Sequence, residues 1–419
     1  MLPLLGSSLA HPLPPSQWHN GTTPGRGDVP TRGGRLPWIN LQTVLAPTQA
    51  SSLPAMAQVG VYHTTQEVLD SVAEIGKSCH TSFKMETHGN SSDGKWPLQV
   101  VTLGEHGAGR AKALILFGIH GREYLSAEIG LSFMRGLCDS ASAAANVLQG
   151  VTFTIVPVLN PSGRDYVREG GHTCGDMRKN GNGVDLNRNF DISWTDGSNI
   201  RNAEDYRGDH PFSEKETQLV KKLVDEGKPD MFIDVHTGDL SMLIPWNDRE
   251  EAPPDAQKAA MLALLEHAAT GVPWVSNVKP DIGVGALTGS PAYLASGTTG
   301  DYAYKAGVKY AFIWETFRLD EHLQGSSAAH HMNLVQWSDD AQQQRQRRAG
   351  RNRPKHLLPV GMAPTNAPAE FVGDDCFKFF NPVSTAMLSQ YTAQWKMALM
   401  RASQYLGDEA LLQAQRAGA

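Results

Sequence analysis

The chain has 419 residues, 40% of them hydrophobic and 19% charged, which is enough apolar material for one large soluble core. A formal net charge of −6 argues against nucleic acid or an acidic membrane surface as the main partner. No run of about 18 apolar residues occurs, so no membrane-spanning helix is expected.

Residues 1–55 are rich in Pro, Gly, Ser and Thr and show no apolar period, so they are expected to form a disordered leader or processed segment. Asp28 is the single acidic residue among the first 60, beside several Ser and Arg, a composition that suits an organellar transit peptide. The apolar opening is short, interrupted by Pro and without a positive start, which makes a poor secretory signal. A secreted or organellar location is expected over a cytoplasmic one.

From Val59 the pattern becomes globular, and one domain over 56–419 is expected. TTQEVLDSVAEIG reads as a helix, and WPLQVVTLG and ALILFGIHG read as strands with continuous apolar runs. Ile129, Phe133 and Leu137 then recur at helical spacing, and VTFTIVPVLNP follows as a buried strand that ends in a turn. In HPFSEKETQLVKKLVDEGKPD, Ser213 with Glu216 three residues later predicts a capping box, and Gly227 predicts the helix stop. MFIDVHTG is again a buried strand, AQKAAMLALLEHAATG a helix and YAFIWE a last strong strand. The run DDAQQQRQRRAGRNRPKH predicts a solvated, flexible basic insertion near 325–358, and the stretch from Phe380 to Gly407 a closing amphipathic helix. Alternating strands and helices give an α/β architecture.

Four cysteines, Cys79, Cys138, Cys174 and Cys376, lack the short paired spacing of a zinc ribbon or a redox pair. They read as free thiols, with Cys174 and Cys376 the candidates for one disulfide in an oxidising compartment.

His120 and Glu123 lie in FGIHGREY, where a buried strand gives way to a turn. Both side chains can emerge at the carboxyl edge of a sheet, where open α/β sheets build their sites. Alone, His-x-x-Glu is weak. IDVHTG adds His236 at the end of another buried strand, and a His, Glu, His set meets the need of a catalytic zinc for about three protein ligands and one open position. Asp185, in GVDLNRNF, can accept a hydrogen bond from the second nitrogen of a ligand histidine, or simply cap its own turn. Arg178, and Arg188 beside Asn187, offer planar forks suited to a carboxylate or a developing oxyanion.

Taken in order, FGIHGREY, VPVLNPSGRD, MRKNGNGVDLNRNF, HPFSEKETQ, FIDVHTG, AYLASGTTGDYAY and FIWETF closely resemble the zinc metallocarboxypeptidases of the carboxypeptidase A and B type, the funnelins. The resemblance runs from about Tyr62 to Phe317 and is nearest to a plant and algal-like subgroup. It implies a single-domain α/β/α sandwich with a mixed, mostly parallel sheet, one Zn2+ per chain, and hydrolysis of C-terminal peptide bonds. It further implies that His120, Glu123 and His236 are the zinc ligands and that Glu315 is the general base taking a proton from the attacking water. Arg178 would stabilise the oxyanion, Asn187 and Arg188 would bind the terminal carboxylate, and Tyr293 would close over the substrate. Arg122 corresponds to a further subsite arginine. Gly300 falls at the base of the side-chain pocket, where glycine selects neither basic nor apolar residues, and Asn247 and Asp248 would supply negative potential from another wall. The expected partners are peptide or protein C-termini as substrate, with no nucleic acid and no membrane span, and the chain is expected to be a monomer. Two alternatives stand beside this: a zinc deacylase of small N-acyl amino acids, which need not keep Asn187, Arg188 and Tyr293, and a non-catalytic scaffold, which need not keep Glu315 and Arg178.

Overall fold

The structure, a computed structural model, describes residues 59–107, 109–139, 144–170, 172–289, 293–319 and 373–418. The expected leader at 1–55 and the basic insertion near 325–358 lie outside the described residues. Helix α1 spans Thr65–Ser78 and begins at a reciprocal cap: Thr64 Oγ1 accepts the Glu67 N–H at 3.0 Å, and Glu67 Oε2 accepts the Thr64 N–H at 2.7 Å. Val68, Val72 and Ile75, spaced to fall on one face, carry its buried stripe. Strands β1 (Phe83–Asn90) and β2 (Pro97–Leu103) pair as an antiparallel hairpin. They are followed by β3 (Ala111–Phe117), α2 (Tyr124–Cys138), α3 (Ala144–Gly150), β4 (Val151–Val156) and α4 (Pro161–Glu169). The remaining elements are α5 (Lys215–Gly227), β5 (Met231–His236), β6 (Leu240–Ile244), α6 (Asp255–Ala269), β7 (Asp281–Val284), α7 (Thr299–Lys305), β8 (Tyr310–Thr316), α8 (Gly373–Phe380) and α9 (Thr385–Gly418).

These strands form one sheet in the order β1-β2-β4-β3-β5-β8-β6-β7. Its centre, β4, β3, β5 and β8, is parallel; β2 and β6 join it antiparallel, β1 pairs antiparallel with β2, and β7 pairs parallel with β6. The central strands are the continuous apolar runs of the sequence because helices cover both of their faces. On one face α1, α2, α3, α6 and α9 enclose a core that includes Phe117, Phe133, Phe153 and Trp314. On the other, α5 and α7 pack over Leu114, Leu116, Val156 and Phe232. Trp395 of α9 sits between Trp274 and Trp314, with ring centroids 5.0 and 5.7 Å away, and its Nε1 donates to the Thr316 carbonyl at 2.7 Å. The closing helix is thereby bonded to the end of β8.

The capping box expected at Ser213 and Glu216 does not form. Glu214 is the residue before α5, and Glu216 is fully buried, accepting the Ser92 backbone N–H at 3.1 Å and the Ser92 hydroxyl. A tertiary partner outcompetes the local one. Strands β1, β6 and β7 were not legible in the sequence, since β1 has no buried residue and the other two are only five and four residues long. The cysteines are paired as Cys79–Cys138 and Cys174–Cys376, with Cα atoms 4.5 and 5.5 Å apart. The second pair matches the one candidate disulfide, while the free-thiol reading is corrected for all four. Separations of 59 and 202 residues leave no local signal of such proximity.

Candidate active site

The site forms where β3, β5 and β8 end. Beyond β3 the chain turns through Gly118, at φ +67°, into His120 and the start of α2. At Gly121 a Cβ would lie 2.4 Å from the backbone of Gly163, so only glycine lets this turn pack against α4. His120 is 2% exposed and Glu123 is 2% exposed, values that leave both carried entirely by protein contacts. Glu123 Oε1 is 2.6 Å from His120 Nδ1, Glu123 Oε2 is 3.1 Å from His236 Nδ1, and the two histidine Nδ1 atoms are 3.2 Å apart. One donor atom from each of the three residues falls within 4.8 Å of the others, the only such group of His, Cys, Asp and Glu among the described residues.

Two buried carboxylates stand behind the histidines. Asp185 Oδ1 is 3.2 Å from His120 Nε2, and its Oδ2 accepts from Arg178 Nε at 2.7 Å. Asp234 Oδ2 is 3.0 Å from His236 Nε2 and accepts from Thr299 Oγ1 at 2.7 Å. Asp185 is bonded to the outward nitrogen of His120 and so fixes that ring, while Asp234 faces the outward nitrogen of His236 as an ion-pair contact without a hydrogen bond; in both rings the inward nitrogen is left facing Glu123. Asp234 is not among the residues expected from the sequence. Its signal was present, because two residues before His236 on a strand is the same face. Buried side chains of both signs set the electrostatics. Burial opposes ionisation of Asp185, but Arg178, Arg188 and His120 hold its carboxyl well below the usual range. Burial likewise works against a charged His236, which Asp234 and Glu123 nevertheless hold well above the usual imidazole value.

Glu315 stands on β8 as the register partner of His236. Burial pushes its carboxyl up to about 8, with the Glu123 and Asp239 carboxylates adding to this and His236 and Arg178 opposing it. Its Oε2 is buried with no hydrogen-bond partner among the described residues.

Asn187 and Arg188 lie on the turn after Asp185, which accepts the Asn187 N–H at 3.0 Å. Asn187 Oδ1 accepts the Thr299 N–H at 2.9 Å, and Arg188 Nη2 donates to Tyr293 Oη at 3.2 Å. Tyr293 is 56% exposed, so its ring stands free of the core over this arginine. At Gly297, φ +66°, a Cβ would meet the Arg188 carbonyl at 2.3 Å, which is how the Tyr293 loop lies so close to it. Arg178, Asp185, Asn187, Arg188 and Tyr293 therefore form one connected chain of bonds leading from His120.

Arg122 directs its guanidinium to the Cys174 carbonyl at 2.7 Å, to Glu204 at 2.6 Å and over the Phe380 ring at 3.9 Å. Gly300 opens α7, and a Cβ there would be 3.0 Å from Ile313 Cγ1 and 3.8 Å from Asn247 Nδ2. Asp248 is matched by Arg249 at 2.6 Å and by the Ser193 hydroxyl. The carboxylate bonded to Asn247 is Asp301, likewise not expected from the sequence, fully buried and accepting the Asn247 Nδ2 at 2.8 Å and the Asp248 N–H at 3.1 Å. Burial raises its carboxyl to about 7.

The model of the zinc carboxypeptidase family matches residues 68–324, more than half of the chain. The chain is 27% identical over 268 residues to carboxypeptidase A4 of Mus musculus and 28% identical over 275 residues to carboxypeptidase A1 of Homo sapiens, covering 61% of this chain in each case. It spans about 62% of the length of these relatives. Among solved structures it is similar to thrombin activatable fibrinolysis inhibitor, with a TM-score of 0.61 at 20% identity, covering 85% of this chain and 77% of that one. Carboxypeptidase A from Helicoverpa armigera gives a TM-score of 0.54 at 24% identity, covering 62% of this chain and 66% of that one. Both likenesses bear out the expected mixed sheet with flanking helices.

Proposed function

The chain belongs to the zinc carboxypeptidase family, and from that premise we propose that it is a zinc-dependent metallocarboxypeptidase that removes the C-terminal residue of peptides or proteins. The observation that carries this reading is the buried His120, Glu123, His236 group with one carboxylate behind each histidine. Two imidazoles and a carboxylate suit the borderline softness of Zn2+, and a set of three leaves a position open. When bound, zinc would supply Lewis acidity at the scissile carbonyl and lower the pKa of the attacking water.

The chain's own residues do the rest in this reading. Glu315, half-buried beside His236, takes the proton of the water at its carboxylate and returns it to the leaving amine. Arg178, held by Asp185, presents its guanidinium toward the developing oxyanion, since its Nη1 lies 3.4 Å from His120 Nδ1. Asn187 and Arg188 bind the terminal carboxylate, and Tyr293, exposed and bonded to Arg188, covers it. That pair is what restricts cleavage to the chain end. The base of the side-chain pocket lies at Gly300, with Asn247 and the buried Asp301 beside it, and Arg122 supports the outer subsite wall through Cys174 and Glu204. The catalytic domain in this reading is residues 56–419, acting as a monomer, with 1–55 as its leader. No helix among the described residues is long and apolar enough to cross a membrane.

The test is a panel of peptides that differ only in their last residue, incubated with the purified, zinc-supplemented protein. Release of single C-terminal amino acids from free but not amidated peptides is expected. No release across the panel, or equal cleavage of amidated peptides, sinks the reading.

A further inference from the structure

Helix α2 begins directly after Glu123, which occupies the position where a side chain ordinarily caps the first free N–H groups. Glu123 makes no such cap. Its carboxylate is turned to His120 and His236, and it also accepts the Thr237 N–H at 3.1 Å. A residue committed to the metal group leaves the helix start uncapped by its own sequence.

The missing bond is made from the far end of the chain. Asn381, fully buried, accepts the Leu125 N–H on Oδ1 at 3.0 Å, the bond that a capping side chain makes to the second helical residue. Its Nδ2 donates to the Arg122 carbonyl at 2.8 Å, the carbonyl of the peptide that leads into Glu123. The amide orientation follows from chemistry, because Leu125 offers a donor while Arg122 and Phe377 offer carbonyls. One side chain thus grips the backbone on both sides of Glu123.

Asn381 is itself fixed. Its Nδ2 donates to the Phe377 carbonyl at 3.0 Å, the next carbonyl, of Pro382, accepts the Tyr62 hydroxyl at 2.6 Å, and Cys376 is bonded to Cys174. The segment lies outside the 68–324 matched by the family.

We propose that Asn381 is a positioning residue for Glu123: it substitutes for the cap that Glu123 gives up, and so holds the carboxylate at the distance and angle a zinc ion needs. The inference rests on the zinc-site reading above. A freed Arg122–Glu123 peptide and an uncapped α2 would let the ligand turn fray, loosening the metal before the fold.

The experiment measures zinc affinity of the full chain by chelator competition, well below the unfolding temperature, with kcat, KM and Tm in parallel. Asn381→Leu removes the bonds to Leu125, Arg122 and Phe377 at similar size and is expected to weaken zinc binding by about 10- to 100-fold, the range for residues that orient a ligand, and to lower kcat more than it changes KM. Asn381→Asp keeps the acceptor for Leu125 but sets an acceptor-only carboxylate oxygen against the Arg122 and Phe377 carbonyls, so it should weaken zinc binding at least as much. Leu265→Ala, in the core of α6, is the control: it lowers Tm and leaves zinc affinity unchanged. Wild-type zinc affinity in Asn381→Leu overturns the proposal whatever happens to Tm, and should that variant not fold, the same criterion applies to Asn381→Asp. A wild-type chain that binds no zinc overturns this proposal and the zinc-site reading together. Zinc bound by wild type and equally by the variants overturns only this one.

Discussion

His236 and Glu315 are register partners on the parallel strands β5 and β8, so the last residue of one strand and the carboxylate proposed as general base stand side by side at the carboxyl edge of the sheet. Their relation is set by backbone pairing and does not depend on the charge of either side chain.

It follows that Glu315→Gln should leave the metal group intact and remove only the proton acceptor. Peptide hydrolysis is expected to drop by about 10²- to 10⁴-fold, the usual contribution of a general base, with zinc content by metal analysis unchanged. Loss of zinc from the variant, or retention of full activity, would contradict the assignment.

Asp185 serves two partners at once, His120 Nε2 at 3.2 Å and Arg178 Nε at 2.7 Å. Asp185→Asn keeps the volume and one acceptor but loses the charge. Zinc affinity should fall by about 10- to 100-fold, and kcat should fall further still because Arg178 is no longer held. A variant with normal chelator competition would show that Asp185 caps its turn and nothing more.

The two disulfides close very different loops, 59 residues for Cys79–Cys138 and 202 for Cys174–Cys376. Each paired Cys→Ser replacement should cost about 2–5 kcal/mol, with the larger loss at Cys174 and Cys376 if restriction of the unfolded chain dominates. Denaturant midpoints of the two double variants decide this. The reverse order would mean that native-state contacts around Cys138 outweigh the loop-closure effect.

His63 Nδ1 lies 2.7 Å from Glu128 Oε2, joining the start of α1 to α2. That hydrogen bond raises the imidazole pKa, while partial burial and the nearby Arg135 and Arg164 oppose the rise. A raised folded value means stability that is fully present below the unfolded pKa of about 6.5 and lost as pH climbs through the folded value. The Tm gap between wild type and His63→Ala should therefore be wider at pH 5.5 than at pH 9. A gap independent of pH would mean that the pair contributes packing but no charge.

Much of this was legible in the sequence because it is encoded within a few residues. The continuous apolar runs ending in His120 and His236, the three-residue step to Glu123 and the string from Arg178 to Arg188 each depend on strand and turn geometry alone. What escaped depends on segments far apart. Asp301 carries no local sign of its role because its partner Asn247 is 54 positions away, and Ser213 lacks its expected role because Glu216 is bonded to Ser92, 124 positions away. Asp234 was the exception, a local signal on a strand already identified.

By itself, then, the sequence determined the central strands, the main helices and the residues proposed as metal ligands, since periodicity and turn chemistry act over one or two turns of chain. Only the tertiary structure decided what stands behind those ligands. Asp234 is bonded to Thr299, Cys174 is joined to Cys376, and Asn381 grips the peptides around Glu123 across more than 250 residues, because folding the sheet brings these atoms within hydrogen-bonding or bonding distance and no local pattern can.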